Sequence, residues 1–209
     1  MGWMSQASLG TCAQVCQAWH QASVGLLYQK ITIASRTAFD ALVDFASKDA
    51  RASERLVETS LLRIGGHPRH RDAPVHVIPV VFARMMPGVR TLVFYLSQQR
   101  LLHSTFFRTL HLFRAVTTLE LFSFVLDSFG ELRSIICAFP QLSCLKLAVG
   151  TLRAETPSTP IRSTPIRLDR LVLGGAWHLC SLFHSSSGSL SPWPVRILPT
   201  WPSGALPTI

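Results

Sequence analysis

The chain has 209 residues, 48% hydrophobic and 15% charged, with a formal net charge of +9, enough apolar content for one compact domain or a short repeat array. Its mean hydropathy of +0.30 is high, yet no apolar run reaches the roughly 18 residues of a membrane helix, the nearest being broken by Pro79 and Arg84. The first residues lack both the basic region and the apolar stretch of a secretory leader, so a cytoplasmic or nuclear protein with no membrane partner is expected. Five cysteines, Cys12, Cys16, Cys137, Cys144 and Cys180, form no framework of even spacings and suit buried thiols in a reducing compartment.

Along the chain, Leu9, Cys12, Cys16 and Trp19 fall on one helical face and predict an amphipathic N-terminal helix. Cys12 and Cys16 have no second pair at zinc spacing, so neither a metal ion nor a cofactor is expected. A motif then recurs, apolar-x-x-Leu-x-apolar. Its copies are Tyr28-x-x-Ile31-x-Ile33, Thr59-x-x-Leu62-x-Ile64, Val89-x-x-Leu92-x-Phe94, Val116-x-x-Leu119-x-Leu121, Leu142-x-x-Leu145-x-Leu147 and Leu168-x-x-Leu171-x-Leu173. The middle residues step by 31, 30, 27, 26 and 26. Alternate residues of a short strand point one way, so the second and third apolar positions enter a core together, and stacking such units would line the strands into a parallel sheet.

Between the copies, apolar stripes at period 3.6 predict outer helices. They run through Phe39, Leu42, Val43 and Ala46, through Ile78, Val81, Phe82 and Met85, through Leu102, Phe106, Thr109, Leu110 and Phe113, and through Phe129, Leu132, Ile136 and Phe139. The last stripe belongs to a helix over Ser128–Phe139, opened by a Ser128/Glu131 capping box and stopped by Pro140. The expected fold is α/β: a leucine-rich-repeat-like solenoid with a parallel sheet and outer helices over residues 28–176. A helical segment precedes it at 1–27, and a Ser/Pro/Trp-rich tail at 177–209 is expected to be disordered.

Charge is unevenly spread. From Thr59 to Leu119 the sole acid is Asp72, against eight arginines from Arg63 to Arg114. Arginines scattered over a repeat surface keep an apolar chain in solution. Without a zinc-finger spacing or an RNA-recognition signature, nucleic acid is not the expected partner. His67-Pro-Arg-His70-Arg-Asp72 reads as an exposed loop. No nucleophile elbow, phosphate loop, metal-ligand pair or acid pair with a usable spacing occurs, and an enzyme is not expected.

Several of these blocks carry a family resemblance. Leu9-x-x-Cys12-x-x-Val15-Cys16-x-x-Trp19, followed by Leu27-Tyr28-x-x-Ile31, resembles the second half of an F-box. With Phe106-Phe107-Arg108, Val116-x-x-Leu119-Glu120-Leu121 and the block from Phe129 to Leu147, the chain is similar over residues 9 to 173 to the F-box and leucine-rich-repeat family of mushroom-forming fungi. The resemblance implies a substrate-recognition subunit of a cullin-RING ubiquitin ligase. Leu9, Cys12, Val15, Cys16 and Trp19 would dock on a Skp-type linker, and the repeats would hold a protein target. The Leu-Pro-x-Glu turn and first helix of a complete F-box have no counterpart in residues 1–27, so weak docking is expected. A binding scaffold with no ubiquitin-ligase role, or a non-functional fragment of a truncated gene, are the alternatives.

Target binding is expected on the sheet face away from the core, at Arg63, Val93, Tyr95, Glu120, Phe122, Lys146, Arg170 and Val172. Tyr95, Lys146 and Arg170 are expected to form one exposed patch, with Arg63 and Glu120 as further contacts. Packing of Phe122 against Val172 between adjacent strands is the alternative for those two.

Overall fold

A computed structural model describes residues 6–65, 74–96, 102–154, 168–174, 178–179 and 196–197. Six strands, β1 (Lys30–Ile33), β2 (Leu61–Ile64), β3 (Thr91–Tyr95), β4 (Thr118–Ser128), β5 (Cys144–Ala154) and β6 (Arg170–Gly174), pair in parallel, each beside the next in sequence. The class is α/β. Register places Ile31, Leu62, Leu92, Leu119, Leu145 and Leu171 side by side, so the middle residues of all six motif copies form one column across the sheet. A second column runs from Ile33 through Ile64, Phe94, Leu121 and Leu147 to Leu173.

Strands β3 to β6 are each entered through the same hydrogen bonds. The carbonyl of Ser60 accepts from the amides of Arg90 and Thr91, that of Arg90 from Thr117 and Thr118, that of Thr117 from Ser143 and Cys144, and that of Ser143 from Asp169 and Arg170. Hydroxyls reinforce the step at the same level: Ser60 Oγ donates to Gln29 O at 3.2 Å, Thr117 Oγ1 to Arg90 O at 3.4 Å and Ser143 Oγ to Thr117 O at 3.3 Å. Thr59, the one polar residue at a motif's first position, is fully buried because its hydroxyl donates to Tyr28 O at 2.9 Å.

Two helices precede β1, and those after it fill the connections and pack on one side of the sheet. In chain order they are α1 (Gln6–Cys12), α2 (Gln17–Gln29), α3 (Arg36–Lys48), α4 (Ala50–Leu56), α5 (Ile78–Met85), α6 (Ser104–Thr109, continued by a 3-10 turn over Leu110–Leu112) and α7 (Phe129–Cys137). Ser35 caps α3 by accepting from the Ala38 amide, and Arg36–Asp40 and Asp44–Lys48 pairs lie along its exposed side. Phe39, Phe82, Phe106, Leu110, Leu132 and Ile135 join the strand columns in one core. Phe39 of α3 meets Phe82 of α5 edge to face at 5.4 Å, and Phe94 of β3 meets Phe106 of α6 at 5.3 Å, which ties each helix to its neighbours.

Four expectations are corrected. The N-terminal helix is not continuous: α1 ends at Cys12, Cys16 is extended with φ −161° and ψ 168°, and α2 starts at Gln17. The break is held by His20, whose Nδ1 lies 3.0 Å from the Ala13 carbonyl freed at the end of α1. Phe129 is not part of the α7 stripe but 51% exposed, because the buried face runs through Leu132, Ile135 and Phe139. The capping box forms one residue out of step: Ser128 Oγ accepts from the Glu131 amide, but the Glu131 carboxylate reaches back to the Asp127 amide at 2.8 Å. Leu171 is only half-buried and Leu173 is 37% exposed, since no described helix follows β5 to cover β6.

Strands β4 and β5 also continue past the motif. At Ser123 (φ 49°) and Val149 (φ 53°), facing positions, both chains pass through the left-handed region. The turn shifts the alternation by one residue, so the inward side chains after Leu119 and Leu121 are Phe124 and Leu126. Beside it, a Cβ on Gly150 would fall against the Phe124 ring, Cζ first. The ring is 1% exposed and lies across the glycine. Within 177–209 the structure describes β7 (His178–Leu179), paired with β5, and β8 (Arg196–Ile197), paired with β6. The His67–Asp72 segment, Cys180 and Ser185–Ser189 lie outside the described residues.

Gly150→Ala is expected to destabilise the chain by about 1–3 kcal/mol, the usual cost of overpacking a filled core. Urea unfolding checks it, and an unchanged midpoint would mean that Phe124 does not occupy this place.

Candidate partner-binding face

Alternation along the strands puts every second residue on the face away from α3, α5, α6 and α7. Three rows cross it. The first runs from Lys30 to Arg170; the second is Thr32, Arg63, Val93, Glu120, Lys146 and Val172; the third is Tyr95, Phe122, Ala148 and Gly174. Tyr95, Lys146 and Arg170 thus share one face but stand on three strands and three rows. Strand spacing and rise put Tyr95 about 12 Å from Lys146 and Lys146 about 8 Å from Arg170.

Their surroundings differ. Tyr95 is half-buried and stacks on Phe122 with centroids 4.9 Å apart and planes 13° apart, while the exposed Arg63 places its guanidinium 5.9 Å from the Tyr95 centroid. Because β2 and β4 flank β3, the cation and Phe122 cover opposite faces of the Tyr95 ring. Gly65, directly after β2, has φ +77°, and a Cβ there would lie 2.6 Å from the Tyr95 carbonyl oxygen, so only glycine fits this approach. Lys146 Nζ bonds Glu120 Oε1 across β4 and β5, with side chains 38% and 16% exposed. Arg170 is exposed.

One outward position departs from expectation, and one alternative fails. Val93 is 1% exposed although it is not part of the helix-side core, because its place in the row lies between the longer Arg63 and Glu120. Phe122 and Val172 do not pack on one another: β5 separates them and they stand in different rows, and the partner of Phe122 is Tyr95. Sequence reasoning passed over Ala148 and Gly174, where the third row loses its side chains. The signal available was the small residue following each of Leu147 and Leu173.

At the N-terminus, the five linker-docking residues are divided by the break between α1 and α2. Leu9 is turned in at 9% exposure and Cys12 is half-buried, whereas Val15, Cys16 and Trp19 are exposed, Val15 by 64% and Trp19 by 53%. Leu26, seven residues after Trp19 on α2, is also exposed. Among the described residues no group of three His, Cys, Asp or Glu side chains is placed to hold a metal ion, and no helix is long and apolar enough to cross a membrane. Comparison with protein-family models, with curated proteins and with solved structures returns no match.

A double-mutant cycle of Tyr95→Ala and Phe122→Ala is expected to give a coupling energy of about 0.5–1.5 kcal/mol, as for stacked rings. Glu120→Ala with Lys146→Ala should couple by about 1 kcal/mol or less, because water screens the lysine. Additive losses for the aromatic pair would contradict the stack.

Proposed function

We propose that this chain is a protein-interaction module, a leucine-rich-repeat-like solenoid that holds a partner protein on the face of its sheet away from the helices. The observation that carries this reading is the single column from Ile31 to Leu171, to which each unit adds one strand at one register. Stacked units of this kind present a continuous surface wider than any one of them, the usual binding surface of repeat proteins. Aromatic and arginine side chains on it, Tyr95, Phe122, Arg63 and Arg170, are the types that dominate protein interfaces.

Following the resemblance to fungal F-box proteins, the partner is a target for a cullin-RING ubiquitin ligase, with the N-terminal helices docking on a Skp-type linker. Exposed Val15, Trp19 and Leu26 support the docking role. The inward turn of Leu9 favours the second reading, a binding scaffold without a ligase link, because it removes one of the five expected anchors. Calorimetry with a Skp-type linker separates the two. The ligase reading predicts micromolar binding that Trp19→Ala weakens about tenfold or more, as loss of an interface tryptophan does. No measurable heat, or binding indifferent to Trp19, leaves the scaffold reading.

A further inference from the structure

We infer that the recess beside Phe122 receives one apolar side chain of an extended, acidic peptide segment of the partner protein. This rests on the sheet face being the partner-binding surface. The third row begins as a wall, Tyr95 stacked on Phe122, and then drops to Ala148 on β5 and Gly174 on β6. Among the described residues a Cβ built on Gly174 meets only the Ala148 Cβ, at 3.8 Å. The wall therefore ends in the Phe122 ring, and beyond it, among the described residues, lies a floor of two small residues.

The charge on the face selects what surrounds that anchor. Among the described residues of the three rows the cations are Lys30, Arg63, Lys146 and Arg170, with Arg196 of β8 in register beside Arg170, and the acid is Glu120, already bonded to Lys146, with Asp127 farther along β4 on the same face. Arg170 is exposed and has no acidic partner among the described residues. It stands on the same strand as Gly174, four positions earlier, about 13 Å along an extended chain. Lys146 precedes Ala148 by two positions. An extended peptide with an aspartate or glutamate roughly two to four residues from an apolar residue matches both spacings.

A single-stranded nucleic acid would use the same charge but needs successive open ring faces on which to stack its bases. Tyr95 has none, being covered by Arg63 on one side and Phe122 on the other. The observations thus favour the peptide.

The test is selection of phage-displayed random peptides on the full chain, followed by fluorescence polarisation with the leading peptide carrying a fluorescein label. The expected result is enrichment of Leu or Phe near Asp or Glu. Arg170→Glu should weaken the leading peptide about tenfold or more, as reversing an interfacial charge does, and Ala148→Leu should abolish binding by filling the recess. If Ala148→Leu moves the unfolding midpoint, Arg170→Glu at its exposed position still decides. Failure to enrich any peptide, or enrichment without acids, overturns the proposal. Acidic peptides weakened by Arg63→Glu but indifferent to Arg170→Glu and Ala148→Leu overturn the recess while keeping the face as the binding surface. Indifference to all three overturns both. Displacement of the peptide by a single-stranded oligonucleotide at physiological salt, lost in Arg170→Glu, makes the face a polyanion site and overturns the peptide assignment.

Discussion

The sheet depends on one repeated contact: the carbonyl just before each of β2 to β5 takes two successive amides from the start of the next unit. From Ser60 to Asp169 the pattern does not change, although the connections differ in length and in the helices they carry. Fixing that contact fixes register, and in a parallel strand a slip of one residue would send every core side chain to the opposite face. The serine and threonine hydroxyls at Ser60, Thr117 and Ser143 strengthen the same point by binding the carbonyl of the preceding unit. Burial of the two apolar columns supplies the free energy, while the entry contact decides which residues are buried.

That division explains what could be read from the residues. The columns were legible because spacing alone carries them: six copies of a short apolar pattern at a nearly constant step. The entry contact was not, because backbone carbonyls leave no mark in a sequence and a serine or threonine before a strand has many uses. The prolongation of β4 and β5 left a trace that was passed over. Phe124-x-Leu126 and Gly150-x-Leu152 follow the motif with the spacing shifted by one, and the shift is the left-handed residue at Ser123 or Val149. A period-two pattern ends where the alternation slips, so it marks only the first part of each of these strands. The helical face through Leu9 and Trp19 failed for a different reason. A stripe at period 3.6 says nothing of whether the backbone remains helical between its members, and the chain breaks at Cys12–Cys16.

The candidate face was legible by position and not by environment. Alternation named Arg63, Tyr95, Glu120, Lys146 and Arg170 as outward. Which of them stack, pair or stand free follows from cross-strand neighbours, which need the register. Tyr95 is held between Arg63 and Phe122, and Lys146 is tied to Glu120. Val93 is buried among longer neighbours. The face is a fixed relief of rings, an ion pair and a gap above Ala148 and Gly174, which is the kind of surface that selects a shape as well as a charge.

The central claim, one column at one register, is tested most directly by methyl NOE spectroscopy on the chain with labelled leucines. The account predicts cross-peaks linking Leu62 to Leu92, Leu92 to Leu119 and Leu119 to Leu145, with none joining Leu62 to Leu119 or Leu92 to Leu145 across an intervening strand. Strong contacts that skip a strand, or the short Hα–Hα contacts of an antiparallel pair between any two of these strands, would contradict it.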